Sequence, residues 1–412
     1  MAWRQNPPAV TLGGEAIAFP VVRSLDRAGI EAFAIGGSPE YNPIAYSRHC
    51  AGYADLGSKG GVVDRWLEWL VEHGPRGAVV LPCNDDGLDL VLRHRSTLEG
   101  LGYVLPEADD RVLAAMLDKD ETYRLARAAD VPTPRTWSSG GGDDLDQAIE
   151  GIGFPCALKP LHTHLFARIF GVGNKLLVAN NRKELDDGLR RMQALGLEMA
   201  VTEIIPGRET QLLSYCGYLD ASGTPLTHFT FRKIRQYPIH FGLGCYVVSD
   251  WNEDVIQAGL RFLRGVGLRG LFHVEFKRDP RDGELKLLEC NHRFTIEAMF
   301  APIDLPLLAY NRLLGRTLPS ERPYRSGIHL WNPVKDTRAF LAYRRREELT
   351  VWRWLRSLLH PQRFHVFRLD DPWPTIRHHA ALARRFFSKR LLRRGVKRPQ
   401  EPLLVSGDLG PS

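Results

Sequence analysis

Short apolar runs and amphipathic stretches alternate over the first third of the chain. Residues 9–12 and 31–35 read as strands with a helix over 18–28 between them, and 62–73 reads as a second helix before a third strand at 78–82. Such alternation predicts a parallel sheet with helices on its faces, a Rossmann-like layer over residues 1–117. The texture changes at Asp118. A helix over 119–129 stops before Val131-Pro132-Thr133-Pro134, since a proline disfavours the helical conformation of the residue ahead of it. The Gly/Ser stretch Ser138–Gly142 leads into a helix opened by Asp143 and Asp144, acids that suit the positive end of its dipole. Phe154–Pro160 follows as a strand carrying Lys159 near its end, and further strands are predicted at 175–178, 200–205, 211–216, 227–232, 271–277 and 285–290. Beyond Gly315 the strand signals fade into a region rich in Trp, Arg and Leu, with helical stretches at 345–359 and 373–394. The chain is thus divided into 1–117, 118–200, 201–315 and a helical, basic region 316–412, with α/β and α+β organisation in one protein.

Composition changes this picture little. A length of 412 residues calls for two or three packed units, and 44% hydrophobic with 25% charged residues supplies ordinary cores. The net charge of +7 hints at nucleic acid or membrane until it is located. Eight basic residues and no acid lie between Arg384 and Arg398; removing them from the 55 basic residues leaves 47 against 48 acids. The body is therefore balanced, no specific nucleic-acid partner is expected, and only the basic tail is a candidate for peripheral membrane contact. Six scattered cysteines without a Cys-x-x-Cys pair fit a reducing compartment, and the first eight residues lack a signal-peptide core, so a cytoplasmic protein is expected, with the inner membrane face as its one peripheral site. Oligomeric state is open, and a homodimer is compatible with the sequence.

Candidate chemistry concentrates in two strands. In 273–277, His273, Glu275 and Lys277 share one face, and in 287–291 Glu289 and Asn291 do the same. The turn-rich residues 279–283 between them predict a hairpin with its acids on a common face. Two carboxylates and an amide oxygen are hard ligands of the kind Mg²⁺ takes, with phosphate and water completing its shell. A hairpin with a solvated outer face is the bland alternative, and the Glu-x-Asn-x-Arg run from Glu289 to Arg293 raises the functional reading above it. Gly13 and Gly14 follow the first strand without a G-x-G-x-x-G, so a dinucleotide fingerprint is absent. His162 and His164, two residues apart, lack further nearby ligands for zinc and are read as part of a polar lid over 160–175.

With these residues in place, the sequence over about 10–315 resembles the ATP-grasp superfamily, in its carboxylate-amine ligase and carbamoyl-phosphate synthetase-like branch. The resemblance implies an ATP-grasp fold behind a Rossmann-like N-terminal domain. It implies ATP and Mg²⁺, with Mn²⁺ as an alternative ion, and assigns Glu275, Glu289 and Asn291 as metal ligands. Lys119 and Lys159 match phosphate lysines, Glu203 and Ile205 match the backbone groups that meet the adenine edge, and Glu209 matches the ribose carboxylate. Lys233 and Arg293 match the cations that meet the γ-phosphate, acyl phosphate or substrate carboxylate, work for which a planar guanidinium is well shaped. Where relatives often carry a glycine-rich loop, this chain reads His162–Arg168, with Gly171 and Gly173 only later. The implied activity is a ligase joining a small-molecule carboxylate to an amine through an acyl phosphate. Its rivals are an idle ATP-binding scaffold and an enzyme forming a carbamoyl or carboxyl phosphate.

Overall fold

The computed structural model describes residues 6–13, 16–39, 42–57, 60–138, 144–161, 166, 169 and 176–392, with backbone alone at 382 and 385–392. Four parallel strands open the chain: β1 (Ala9–Leu12), β2 (Ala32–Gly36), β3 (Gly52–Asp55) and β4 (Val79–Pro82), in the order β3-β2-β1-β4. Every residue of β1 and β4 is buried, as a sheet covered on both faces demands. Val10, Leu12 and Val80 point towards helices Val62–Glu72 and Asp85–Gly100. Ala9, Val79 and Leu81 point the other way, into a core shared with helix Ala18–Arg27 and with Phe229, Phe231 and Phe294 from later in the chain. The Rossmann-like layer is thereby fused to the rest of the molecule by apolar packing. Gly13 allows a close approach here. It sits at φ 68°, and a Cβ on it would lie 2.4 Å from the Asn84 side chain, which caps helix Asp85–Gly100.

A small antiparallel sheet follows, built from β5 (Thr136–Ser138), β6 (Cys156–Pro160), β7 (Leu177–Ala179) and β8 (Met199–Glu203) in the order β5-β8-β6-β7. The expected division at residue 200 cuts through β8, which belongs wholly to this sheet, so the structural boundary falls after Glu203.

The large sheet contains β9 (Leu212–Leu219), β10 (Pro225–Tyr237), β11 (Leu243–Ser249), β12 (Gly270–Arg278), β13 (Leu285–Asn291), β14 (His329–Trp331) and β15 (Gln362–Phe364), in the order β13-β12-β9-β10-β11-β14-β15. Helices Lys119–Ala128 and Glu253–Gly265 cover one face through Tyr123, Ala126, Phe262 and Leu263. The last two strands correct the expectation of a purely helical C-terminal region. β14 pairs with β11 and β15 with β14, so residues beyond 315 extend the central sheet as well as contributing helices Pro333–Arg345, Val351–Ser357 and Trp373–Leu392.

Two buried carboxylates bind that region to the body. Asp336 accepts from Arg235 Nε (2.6 Å) and a second guanidinium nitrogen (3.0 Å), from Trp331 Nε1 (3.0 Å) and from Trp354 Nε1 (2.9 Å). Asp371 accepts from two nitrogens of Arg23 (3.2 and 2.9 Å), from Ser47 Oγ (2.6 Å) and from the Arg48 amide (3.3 Å), joining the end of the chain to the first layer. His162, His164 and nearly all of the 160–175 segment lie outside the described residues, as do Gly14 and the side chains of most of the basic run. No helix among the described residues is long and apolar enough to cross a membrane.

Candidate active site

β12 and β13 form the predicted hairpin, turned at Gly283 (φ 78°), where the Gly283 amide donates to the Asp279 carbonyl. Glu275 lies directly opposite Glu289, and His273 opposite Asn291; a bulge after Glu275 shifts the register of the residues beyond it. Like charges placed opposite one another repel, and two neighbours offset this. Lys233 of β10 reaches over β9 to put Nζ 2.5 Å from Glu275 Oε2, and Asn291 Nδ2 donates to Glu289 Oε1 (3.3 Å). On β9 the partner of Glu275 is the small, buried Ser214, which leaves room for the lysine and hydrogen-bonds His273 Nε2 (3.2 Å). Lys233 and Glu275 are only 7% and 6% exposed, so each charge depends on the other.

Arg293, just past β13, turns towards the first layer and donates through Nε to Asp85 Oδ1 (2.5 Å) in the opening turn of helix Asp85–Gly100. Burial opposes both charges, yet each outweighs that cost for the other: the guanidinium holds the Asp85 carboxyl below its ordinary range, and Asp85 holds the Arg293 pKa above its own. Glu297 shows the opposite balance, because burial dominates and raises its carboxyl above the usual value.

These groups line one cavity of about 380 Å³ between the first layer and the large sheet. It collects Lys119, Lys233, Glu275, Glu289, Asn291 and Arg293, six of the residues singled out from the sequence. The other four lie beyond its walls. Lys159 Nζ is 3.5 Å from the Tyr123 hydroxyl, which donates to the Leu288 carbonyl (3.0 Å) behind the hairpin. The Glu203 carboxylate is held by Arg135 and Arg281, and its amide donates to the Arg135 carbonyl because β8 is an inner strand. The Ile205 carbonyl accepts from Lys277 Nζ (2.7 Å), whose pKa is lowered to about 8 by burial, and Glu209 contacts His240 Nδ1 (3.1 Å). Lys277 thus spans from the hairpin to the segment carrying Ile205 and Glu209. Arg235, two residues along β10 from Lys233, does not join the cavity. Two register shifts around it in the β10–β11 pairing separate it from Lys233 and send it to Asp336.

Asp85, Glu297, Lys335 and His365 complete the cavity and were not found by sequence reasoning. Glu297 lies four residues past Arg293, a spacing that offered a weak signal. The others come from elements hundreds of residues apart or with little pattern. Among the described residues no group of three or more His, Cys, Asp or Glu side chains is arranged to hold a metal unaided. Two carboxylates and an amide match an ion that takes its remaining ligands from phosphate and water.

His365 yields a pH prediction. Burial, then the charge of Lys335, lowers its pKa from 6.5 to about 3. Between those values the unfolded chain binds a proton that the folded chain refuses, so stability present above pH 6.5 is lost as pH falls, on the order of 3–4 kcal/mol across the window. A His365→Asn variant should therefore show a shallower decline of melting temperature from pH 6.5 to 4 than the parent. Parallel declines would contradict a neutral buried imidazole.

No family model matches the chain. A D-aspartate ligase of Enterococcus faecium is 26% identical over 235 residues, which cover 55% of this chain and 55% of that protein, so the chain spans about half the length of this relative. A D-alanine–D-alanine ligase of Stutzerimonas stutzeri is 25% identical over 277 residues, covering 66% of this chain and 76% of the ligase. Among solved structures, a biotin carboxylase–β,γ-ATP complex from Campylobacter jejuni superposes with a TM-score of 0.59 at 16% identity, covering 78% of this chain and 74% of that one.

Proposed function

Since the chain is an ATP-grasp protein by its fold and its relatives, we propose that it is an ATP- and magnesium-dependent ligase that joins a carboxylate to an amine. The observation that carries this reading is the direct pairing of Glu275 with Glu289 inside a cavity that also holds Asn291, Lys233 and Arg293. The substrate carboxylate attacks the γ-phosphorus of ATP, ADP departs, and an amine displaces phosphate from the resulting acyl phosphate. Little covalent machinery is needed from the protein for such a transfer; positioning and charge stabilisation dominate.

Glu275, Glu289 and Asn291 would hold the divalent ion, whose chemistry is to neutralise charge on the phosphate oxygens. Lys233, ion-paired with Glu275, stands ready to meet the transferring phosphoryl group. Arg293, oriented by Asp85, presents its remaining donors to a carboxylate or acyl phosphate. Lys119 closes the phosphate end. At the base end, a nucleotide reaching for the Ile205 carbonyl takes the place now occupied by Lys277 Nζ. The relatives' names point to amino acids as the substrate class.

The test is chemical. Protein, Mg-ATP and hydroxylamine are incubated with individual D- and L-amino acids or bicarbonate, and ADP and hydroxamate are measured. ADP release with a hydroxamate of one amino acid is expected, since hydroxylamine intercepts acyl phosphates. ADP release with bicarbonate alone would favour a carboxyl phosphate instead, and neither product with any carboxylate would remove the ligase reading.

A further inference from the structure

Two polar groups of the cavity have no part in the phosphate and metal chemistry. They are Lys335 and His365, which the C-terminal region contributes to a wall that also includes Leu243 and Gly244 of β11. Lys335 stands in the first turn of helix Pro333–Arg345, where its amide donates to the Asn332 cap (3.1 Å), so its ammonium adds to the positive end of a thirteen-residue helix. Among the described residues that ammonium has no salt bridge. The adjacent carboxylate, Asp336, is occupied by Arg235 and two tryptophans. His365 is 8% exposed, its amide is tied to the Trp331 carbonyl (3.3 Å), and among the described residues its Nε2 has no hydrogen-bond partner. An orphaned buried ring nitrogen leaves a polar group without its usual compensation, and here it lines a cavity beside an unpaired cation.

Elsewhere the cavity carries both signs, with Lys233 paired to Glu275 and Arg293 to Asp85. Asp86, Glu289 and Glu297 add further acids to its walls, to which an ammonium or amine is suited. A molecule with an amine at one end and an anionic group at the other matches this division.

We propose that Lys335 and His365 form an anion-binding subsite that recognises a carboxylate or phosphate on the amine-bearing substrate. The proposal rests on the ligase reading and names a class within it: the acceptor is an anionic amine, such as an amino acid or a phosphorylated amino sugar, and a simple amine is a poor substitute. Lys335 and His365 are positioning residues for the acceptor, remote from the bond being made.

The experiment uses the full chain with Mg-ATP and amino-acid donors, and follows ADP release with three kinds of acceptor. These are D- and L-amino acids, glucosamine 6-phosphate, and the neutral-tailed counterparts ethylamine, isobutylamine and glucosamine. Anionic acceptors should be preferred over their counterparts by about tenfold or more, the worth of a charge-assisted contact. Lys335→Met should raise the acceptor KM about tenfold while the KM values for Mg-ATP and donor stay within about twofold, and Lys335→Arg should recover part of the loss. Preference for amino acids identifies carboxylate as the recognised group, and preference for glucosamine 6-phosphate identifies phosphate.

Equal use of neutral counterparts overturns the proposal, as does an acceptor KM indifferent to Lys335→Met or a shift confined to the donor KM. Mg-ADP binding by calorimetry separates this failure from that of the ligase reading. Mg-ADP bound, with no anionic amine turned over or bound, removes the subsite alone; no Mg-ADP binding removes the reading beneath it.

Discussion

Glu289→Gln should fold like the parent and lose ADP release by at least about a hundredfold, the scale expected when charge stabilisation is removed from a transferring group. The substitution keeps the shape of the side chain and replaces one carboxylate oxygen by an amide nitrogen. Asn291 Nδ2 now donates to Glu289 Oε1, and the amide oxygen of glutamine accepts equally well. Opposite Glu275, the loss of a like charge relieves repulsion within the hairpin, so melting temperature should stay level or rise slightly. The two readouts are therefore expected to part company: turnover collapses and stability does not. Excess Mg²⁺ or Mn²⁺ should restore a fraction of the activity, because one carboxylate and two amide oxygens remain. Full turnover in this variant would end the metal assignment. An unfolded variant would show that Glu289 is structural.

Asp336→Ala is expected to destabilise the protein by about 3–5 kcal/mol, the cost of removing one partner from a buried ion pair. This is a large share of a typical domain's stability of about 5–15 kcal/mol. The fully buried carboxylate receives four charged or indole hydrogen bonds, and its loss strands the Arg235 guanidinium, which otherwise rests 4.4 Å over the Tyr246 ring. Replacing both partners, as Arg235→Met with Asp336→Leu, should recover much of the loss, since apolar pairs often match buried ions in stability. Urea denaturation of the three proteins checks both statements. A cost below about 1 kcal/mol for Asp336→Ala would mean that water reaches the guanidinium.

The hairpin was readable because strand periodicity depends only on neighbours in sequence: His273, Glu275 and Lys277 alternate with apolar residues, as do Glu289 and Asn291. The ends of β1, β4, β12 and β13 were each recovered to within a residue for the same reason, although assignments commonly slip there. The separation of Arg235 from Lys233 could not be read in the same way, because bulges depend on the partner strand, which periodicity does not describe. β14 and β15 have three residues each, too few to show alternation, so a region of helical texture concealed the continuation of the sheet. Asp85 escaped notice since its meaning comes from Arg293, 208 residues away. Lys335 and His365 were silent for a related reason: a lone lysine and a lone histidine gain significance only when a cavity gathers them.

The bond from Arg23 to Asp371 links residues 348 positions apart. On the ribosome, the first sheet is complete long before this partner is synthesised, and during that interval a buried-type arginine has only water for company. Until then the seam beside Arg23 lacks the carboxylate that closes it. Removing the segment that carries Asp371 would therefore leave Arg23 without the carboxylate that latches it.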